Sequence, residues 1–266
     1  MTNSEIKDFF ADLVITPPTE EEVLAGKKRF LQQNREASFG YWYPILQKTG
    51  VKTPKTRYVE FPTDLAFEII GEEEPYAVTG IDYLSLVKEC ADDIGYPCFI
   101  RGSHTSAKHY WKNTCYLENP EDLRHHIKEI ANFSAFVDIP CEGFAVRELI
   151  PTTPLFTAFS GDMPITREFR FFAENGAVTW IQPYWVPSSI QDASDTQWLA
   201  KLEKSQTLDP KTLFHLMEQT IEVSKHFLGF WSIDWLQSST GEWYCTDMAP
   251  GEKSFTWGGM YGENVW

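Results

Sequence analysis

Basic residues are scarce in this chain. Its 266 residues include 23 Lys and Arg against 38 Asp and Glu, which gives a formal net charge of -15. Proteins that bind nucleic acid over a broad surface present a basic face to the phosphates, so this balance argues against such a surface. The composition still allows a narrow cationic cleft, and a cleft of that kind suits a small polyanion.

Cysteine is sparse and follows no pattern. The five cysteines, at positions 90, 98, 115, 141 and 245, include no Cys-x-x-Cys motif. Their odd number favours free thiols in a reducing, cytoplasmic setting. The first eight residues lack the basic and apolar regions of a signal peptide. No apolar run approaches the roughly 20 residues that span a bilayer. We therefore expect a cytoplasmic protein with no membrane partner.

Familiar short motifs are missing as well. The chain has no Gly-x-Gly-x-x-Gly, no Gly-x-Ser-x-Gly and no Walker A loop. Its histidines form no pair with Cys or Asp at metal-ligand spacing. The chain does contain ample core material, because 42% of its residues are hydrophobic and 15% are aromatic. This composition predicts a folded globular protein.

The most informative stretch is residues 230–250. It indicates two strands joined by a polar turn that contains Gly241. Each strand carries one aspartate, Asp234 and Asp247, among apolar neighbours. Buried carboxylates need a positive partner, and a hairpin would bring the two together, where they could hold a hard cation such as Mg²⁺. The alternative is a pair of turn-proximal aspartates that accept backbone N–H groups.

A candidate anion loop follows the apolar strand that ends at Arg101. Residues 102–108 are small and polar, include His104 and Ser106, and end at Lys108. Small residues let backbone N–H groups approach phosphate oxygens, while Arg101 and Lys108 add charge. The alternative is a surface loop with two ordinary cations. Residues 109–116 are predicted to form the return strand.

Two pairs of charged residues and one lysine have two interpretations each. Arg147 and Glu148 are neighbours in an apolar strand, so one of them faces a cleft or the interior. They could instead form a structural ion pair. Glu168 and Arg170 share one strand face, an arrangement typical of a cross-strand ion-pair ladder, yet near a triphosphate Arg170 would contact phosphate. Lys253 could reach the same phosphates or remain in solvent.

Several elements have clear local signals. Asn175-Gly176 predicts the turn of a hairpin that includes residues 168–173 and 177–181. Asp209-Pro210 predicts the start of a helix. Residues 187–209 are polar and predict a surface excursion.

Taken in order, these passages resemble the ATP-grasp superfamily over residues 40–250. The likeness lies in residues 46–56, residues 95–108, residues 144–150 with Glu168-Phe169-Arg170, and residues 229–250. The resemblance implies an α/β (α+β) fold in which two α+β lobes clasp Mg-ATP behind a small N-terminal α/β domain. The N-terminal domain would comprise residues 1–79, the first lobe residues 80–143 and the second lobe residues 144–266. It also implies cofactor-binding roles for Arg101, His104, Ser106, Lys108, Glu148, Leu149, Ile150 and Lys253, metal ligation by Asp234 and Asp247, and catalytic roles for Arg147 and Arg170.

Two departures set the chain apart from most members. Arg101 stands where most have lysine, which is similar to a divergent branch containing cell-division-cycle assembly chaperones of translation initiation and related phage and bacterial ligases. The family ending Asp/Glu-x-Asn-Pro is here Asp247-Met248-Ala249-Pro250, so one oxygen ligand of a two-metal site is missing.

The resemblance implies an ATP- and Mg²⁺-dependent ligase that joins an unidentified carboxylate, in a small molecule, peptide or protein, to an amine through an acylphosphate. Arg147 and Arg170 are the candidates for gripping that carboxylate. An ATP-binding assembly chaperone is the first alternative, and an apolar groove without ADP release would indicate it. A structural domain whose charged pairs are salt bridges is the second, and failure to bind ATP would indicate that.

Overall fold

The computed structural model describes residues 17–62, 77–78, 81–160 and 162–257. Its compact units divide after Asn34. The described part of the first unit contains helix α1 (Glu20–Asn34). This helix begins at a capping box, in which the Glu22 N–H donates to Thr19 Oγ1 at 3.2 Å and the Thr19 N–H donates to Glu22 Oε2 at 2.8 Å.

The second unit contains two antiparallel four-stranded sheets. The first has the order β1-β6-β4-β5, with β1 Thr56–Glu60, β4 Cys98–Gly102, β5 Tyr116–Leu117 and β6 Gly143–Glu148. Helices α3 (Tyr83–Ile94) and α4 (Leu123–Phe136) pack on it through residues such as Val87 and Ile127, both fully buried. Position 143 requires glycine because a Cβ there would lie 2.2 Å from the Val59 carbonyl oxygen.

The second sheet has the order β10-β9-β11-β12, with β9 Glu168–Glu174, β10 Ala177–Pro183, β11 Phe230–Gln237 and β12 Trp243–Pro250. Both hairpins predicted from the sequence are confirmed. Asn175 and Gly176 form the first turn at positive φ, 47° and 87°. Helices α2 (Phe39–Leu46) and α6 (Pro210–Ser224) share the core of this sheet. Asp209 caps α6 as predicted, accepting from the Thr212 N–H at 3.0 Å.

Smaller elements complete the unit. A two-stranded hairpin pairs β2 (Ala77–Val78) with β3 (Ile81–Asp82), and a second pairs β7 (Phe156–Ala158) with β8 (Met163–Ile165). Helix α5 (Trp198–Ser205) lies within residues 187–209, and its Leu202 is buried in the β7–β8 cluster. The other residues of that segment are exposed or half-buried, so it lies at the surface as predicted, with its helix tied to the core by Leu202.

The predicted return strand over residues 109–116 was wrong. The chain instead forms a 3₁₀ turn over Lys108–Asn113, and β5 is only two residues long. The Thr114 hydroxyl stabilises the turn by donating to the carbonyl oxygens of Ala107 and Tyr110, at 2.9 and 3.1 Å. This side-chain bonding competes with a strand ladder.

The predicted domain limits of 79 and 143 stay predictions. The first sheet combines strands from all three predicted regions, since β1 comes from residues 1–79, β4 and β5 from residues 80–143, and nearly all of β6 from residues 144–266. Residues 79 and 80, at the first limit, lie outside the described ranges. Among the helices described, none combines the length and apolar character needed to cross a bilayer.

Candidate functional site

A cavity of about 550 Å³ is lined by residues from both four-stranded sheets. Eight of the twelve predicted site residues line it: Arg101, Ser106, Lys108, Arg147, Glu148, Leu149, Ile150 and Asp247. Four do not, namely His104, Arg170, Asp234 and Lys253. The predicted phosphate loop, the strand end of β6 and the last strand β12 therefore meet at one cavity.

Two buried arginines form one wall. Arg101 donates from Nη1 to Asp247 Oδ1 at 2.6 Å. Arg147 is 3% exposed and donates from Nε to Thr56 Oγ1 and from Nη1 to the Thr246 carbonyl oxygen. Its Nη2 has no hydrogen-bond partner among the described residues. Burial, and then the charge of Arg101, lowers the pKa of Arg147 to about 10. A desolvated guanidinium with an open N–H is suited to an anion.

Lys108 is held in a cage on the other side. Its Nζ lies 3.9 Å from Glu168 Oε2, 3.9 Å from the Tyr184 ring centroid and 4.7 Å from the Trp185 ring centroid. Burial works to lower the pKa of the Lys108 ammonium, but Tyr184 and the Glu168 carboxylate outweigh burial and raise it. Lys108 therefore stays charged. Sequence reasoning missed Tyr184 and Trp185, because an aromatic pair after a strand carries no motif.

Glu168 is itself fixed by two neutral donors. Its Oε1 accepts from Thr166 Oγ1 at 2.9 Å and from Trp185 Nε1 at 3.0 Å. Its side chain is 8% exposed. The carboxylate thus keeps two partners whether or not Lys108 stays beside it, so the cage can release the lysine to a ligand without leaving Glu168 unsatisfied.

The two late aspartates are direct partners across β11 and β12, as predicted. The Asp247 side chain is 36% exposed toward the cavity, and its Oδ1 also accepts from the Met248 N–H at 3.0 Å. Burial favours the neutral acid, but the charge and hydrogen bond of Arg101 outweigh it and lower the pKa of Asp247. Asp247 is therefore an ionised carboxylate on the cavity wall.

Asp234 is not part of the lining and is paired with Arg170. The two residues face each other across β9 and β11, and the guanidinium is bidentate, with Nε to Oδ1 at 2.7 Å and Nη2 to Oδ2 at 2.8 Å. Burial would lower the pKa of Arg170, but the Asp234 carboxylate raises it. Arg170 Nη1 donates to the Phe255 carbonyl oxygen at 3.3 Å. The ion-pair interpretation of Arg170 is thus realised with Asp234, while Glu168 faces Lys108.

His104 and Lys253 lie away from the cavity lining. The His104 side chain is 3% exposed, with Nε2 3.5 Å from Glu142 Oε2 and Nδ1 2.9 Å from Ser103 Oγ. Lys253 is exposed and ends the 3₁₀ turn Gly251–Lys253. The assignment of these two residues to the cofactor stays a prediction.

The cavity also has apolar lining residues. They include Leu149 and Ile150, which follow β6, and the aromatic residues Phe99, Trp111 and Tyr116. Within the described ranges, no group of three or more His, Cys, Asp or Glu side chains is placed to hold a metal ion. A cation at Asp247 would need further oxygens from water or a bound anion.

Comparison with protein-family models gives one match. The model described as the ATP-grasp domain, R-2-K clade family 3, matches residues 89–257, more than half of the chain. The matched region includes the cavity-lining residues Arg101, Lys108, Arg147 and Asp247. A search of curated proteins found no match.

Solved structures match at low identity. An ADP complex of N5-carboxyaminoimidazole ribonucleotide synthetase gives a TM-score of 0.51 at 9% identity, covering 88% of this chain and 52% of the other. The biotin carboxylase–β-γ-ATP complex from Campylobacter jejuni gives 0.50 at 15%, covering 82% and 41%. The RimK domain protein ATP-grasp from Sphaerobacter thermophilus gives 0.45 at 13%, covering 82% and 60%.

These comparisons agree with the architecture. The chain spans about 41–60% of the length of the three solved structures. The two with a TM-score of at least 0.50 share its fold. The predicted ATP-grasp fold and superfamily are confirmed, and the chain belongs to the ATP-grasp domain family, R-2-K clade family 3.

Proposed function

We propose that the chain is an ATP- and Mg²⁺-dependent ligase that joins a carboxylate to an amine or a similar nucleophile through an acylphosphate. The observation that carries the proposal is that one cavity is lined by both cationic and apolar side chains. Arg101, Lys108 and Arg147 supply positive charge, while Leu149 and Ile150 supply apolar side chains. The family match supports the same assignment.

The described residues fit a nucleotide. A volume of about 550 Å³ lies within the range of small-molecule sites. Arg101 and Lys108 are assigned to the phosphates, with Ser106 beside them in the loop. Glu148, Leu149 and Ile150 are assigned to the adenine side. The Nη2 of Arg147 is buried and has no hydrogen-bond partner among the described residues, so the guanidinium keeps one unused donor.

Three predicted site residues that do not line the cavity have less support as ligand contacts. Arg170 would turn toward the reacting phosphate or the carboxylate only by leaving Asp234, which now binds it at two atoms. His104 and Lys253 were assigned to the cofactor, and either would have to reorient to reach it. We therefore rank them below Lys108 as nucleotide contacts.

The metal part of the proposal rests mainly on Asp247. This carboxylate faces the cavity and is held ionised by Arg101. Asp234 is its strand partner, but both Asp234 oxygens accept from Arg170. Coordination by Asp234 requires the guanidinium to move to another anion, and nucleotide phosphates are anions of the right kind. Two carboxylates with phosphate and water are a typical magnesium shell.

The chemistry assigned to the residues is mostly electrostatic. ATP supplies a phosphoryl group that converts the carboxylate oxygen into a leaving group, which the amine then displaces. Phosphoryl transfer needs charge neutralisation and alignment more than covalent help from the protein. Arg147 is the candidate that orients the carboxylate, since its guanidinium is held at Nε and Nη1, while the buried Nη2 has no hydrogen-bond partner among the described residues.

The proposed activity is tested with Mg-ATP and a metabolite extract, because the acceptor is unidentified and includes peptides and proteins. The expected result is release of ADP and phosphate together with a new amide mass. ATP binding without ADP release in any extract would count against ligation and favour the assembly-chaperone alternative. Localisation to the cytoplasm belongs to the same proposal and agrees with the five cysteines, which are buried and free.

Lys108→Ala is expected to weaken ATP binding about 10- to 100-fold, because a charge-assisted contact contributes roughly 1.5–3 kcal/mol. The melting temperature should change little, since Glu168 retains its bonds from Thr166 and Trp185. Titration calorimetry and thermal unfolding measure the two effects.

Lys112→Ala is the matched control for that prediction. Lys112 lies in the same 3₁₀ turn but is 61% exposed and paired with Asp162. Its removal should leave ATP affinity unchanged. Equal affinities for wild type and Lys108→Ala would remove Lys108 from the phosphate site, and a large loss of melting temperature would assign it a structural role.

A further inference from the structure

One short turn supplies side chains of two kinds to the cavity. The 3₁₀ turn Lys108–Asn113 carries the caged ammonium of Lys108 and, three residues later, the indole of Trp111. Both side chains line the cavity. The turn thus presents a cation and a flat aromatic ring to one bound molecule.

The indole belongs to an aromatic wall. Its ring centroid lies 5.8 Å from that of Phe99 on β4 and 6.0 Å from that of Tyr116 on β5, with interplanar angles of 46° and 22°. All three residues are half-buried and line the cavity, next to Leu149 and Ile150. Part of the surface of these rings is therefore accessible at the cavity wall.

We propose that Trp111 stacks on the base of the bound nucleotide. This inference rests on the proposed function, and it adds a residue that the sequence reasoning assigned to a strand. A nucleotide has a flat base and a polyanionic tail, which match the indole and the ammonium that the turn carries. Stacking is tolerant of base identity because every base has a π-face. Trp111 therefore contributes affinity for the base without selecting adenine over guanine.

A purely structural role for Trp111 is the competing explanation. The indole also packs against the β7–β8 cluster that contains Phe156 and Met163. Trp198 packs against the same cluster, with its ring 6.0 Å from Phe156, but does not line the cavity. The two tryptophans share one packing environment and differ in access to the ligand, so Trp198 is the matched control.

The test measures the affinity of the full chain for two probes, ATP and inorganic tripolyphosphate, both with Mg²⁺. Trp111→Leu is expected to weaken ATP binding about tenfold and to leave tripolyphosphate binding unchanged. GTP binding should weaken by the same factor as ATP binding. Trp198→Leu should change neither probe. Lys108→Ala, by contrast, should weaken both probes.

Other outcomes overturn the inference. Equal losses for ATP and tripolyphosphate in Trp111→Leu would mean that the indole only supports the turn, and no loss for either would mean that it does not touch the base. Wild-type protein that binds tripolyphosphate but not ATP would refute the base contact alone. Wild-type protein that binds neither would refute the proposed function itself.

A second measurement covers the case in which Trp111→Leu does not fold. Trp111→Phe keeps an aromatic ring and most of the packing against the β7–β8 cluster. Both probes should change the fluorescence of Trp185, whose ring lies 4.7 Å from Lys108 Nζ, but ATP should cause a further change in the wild type that tripolyphosphate does not. Trp111→Phe should lose most of that ATP-dependent change while retaining ATP binding within about threefold. An unaltered fluorescence response in Trp111→Phe would overturn the inference.

Discussion

Asp234→Ala is expected to lower the free energy of unfolding by about 3–5 kcal/mol, because it leaves a buried arginine without its carboxylate. Arg170 and Asp234 have side chains that are only 13% and 4% exposed, and two parallel hydrogen bonds join them. Solvent screening is weak at such a site. For a chain of this size the loss corresponds to a fall in melting temperature of about 10 °C.

The same pair should tolerate joint replacement. Replacing both members of a buried ion pair with apolar residues of similar volume is often neutral or stabilising. The double variant Arg170→Met/Asp234→Leu is therefore expected to recover most of the stability lost in Asp234→Ala. A double-mutant cycle on chemical unfolding measures the coupling between the two positions. The Phe255 carbonyl oxygen loses its bond from Arg170 wherever methionine replaces that arginine, so recovery will be incomplete.

An exposed ion pair provides the control. Glu222 and Lys225 are 2.7 Å apart on α6 and its end, with side chains 46% and 56% exposed. Glu222→Ala is expected to leave the unfolding transition unchanged, since exposed pairs contribute little. If Asp234→Ala also unfolded like the wild type, the Arg170–Asp234 pair would not support the fold, and Asp234 would be available to a metal ion at no structural cost.

Much of the second sheet follows from local signals. Asn175-Gly176 requires positive φ at two successive positions, and the two apolar runs around it have strand periodicity, so the β9–β10 hairpin is predictable. The polar turn after β11 likewise sets the register that pairs Trp235 with Cys245, and a bulge between Asp234 and Trp235 then brings Asp234 opposite Asp247. These features depend on residues close in sequence.

The pairing of Arg170 with Asp234 depends on strand order instead. The two residues are 64 positions apart and meet only because β9 lies between β10 and β11. A one-position change of register would move Asp234 to the other face of the sheet. The Tyr184 and Trp185 cage around Lys108 arises similarly, from contact between a loop of one sheet and the end of a strand in the other. Sequence patterns alone do not determine such contacts between residues that are distant in the chain.

Asp247→Asn is expected to remove the Mg²⁺ dependence of ATP binding. With Mg²⁺ present the variant should bind ATP about 100-fold or more weakly, since a bound metal contributes several kcal/mol to charge stabilisation. Without Mg²⁺ it should bind ATP as well as the wild type or better, because one negative charge has left the wall beside Arg101. Titration calorimetry with Mg²⁺ and with EDTA gives the ratio of the two ATP affinities. That ratio shows whether the Mg²⁺ dependence requires Asp247.

The fold should survive this change. Asparagine keeps an oxygen that can accept from Arg101 Nη1 and from the Met248 N–H, the two bonds that Asp247 Oδ1 now receives. Thermal unfolding without ligand checks this point. Loss of ATP binding in a folded variant then reflects the missing charge at the metal rather than collapse of β12.

Glu148→Gln separates the metal from general electrostatics. Glu148 also lines the cavity and carries a carboxylate, but it accepts from the Lys55 N–H on the side assigned to adenine. Its replacement should change the affinity for ATP by the same factor with and without Mg²⁺. The ratio of the two affinities should therefore match that of the wild type. If Asp247→Asn kept the wild-type ratio too, Asp247 would be no more than the partner of Arg101, and any metal would have to bind through other oxygens.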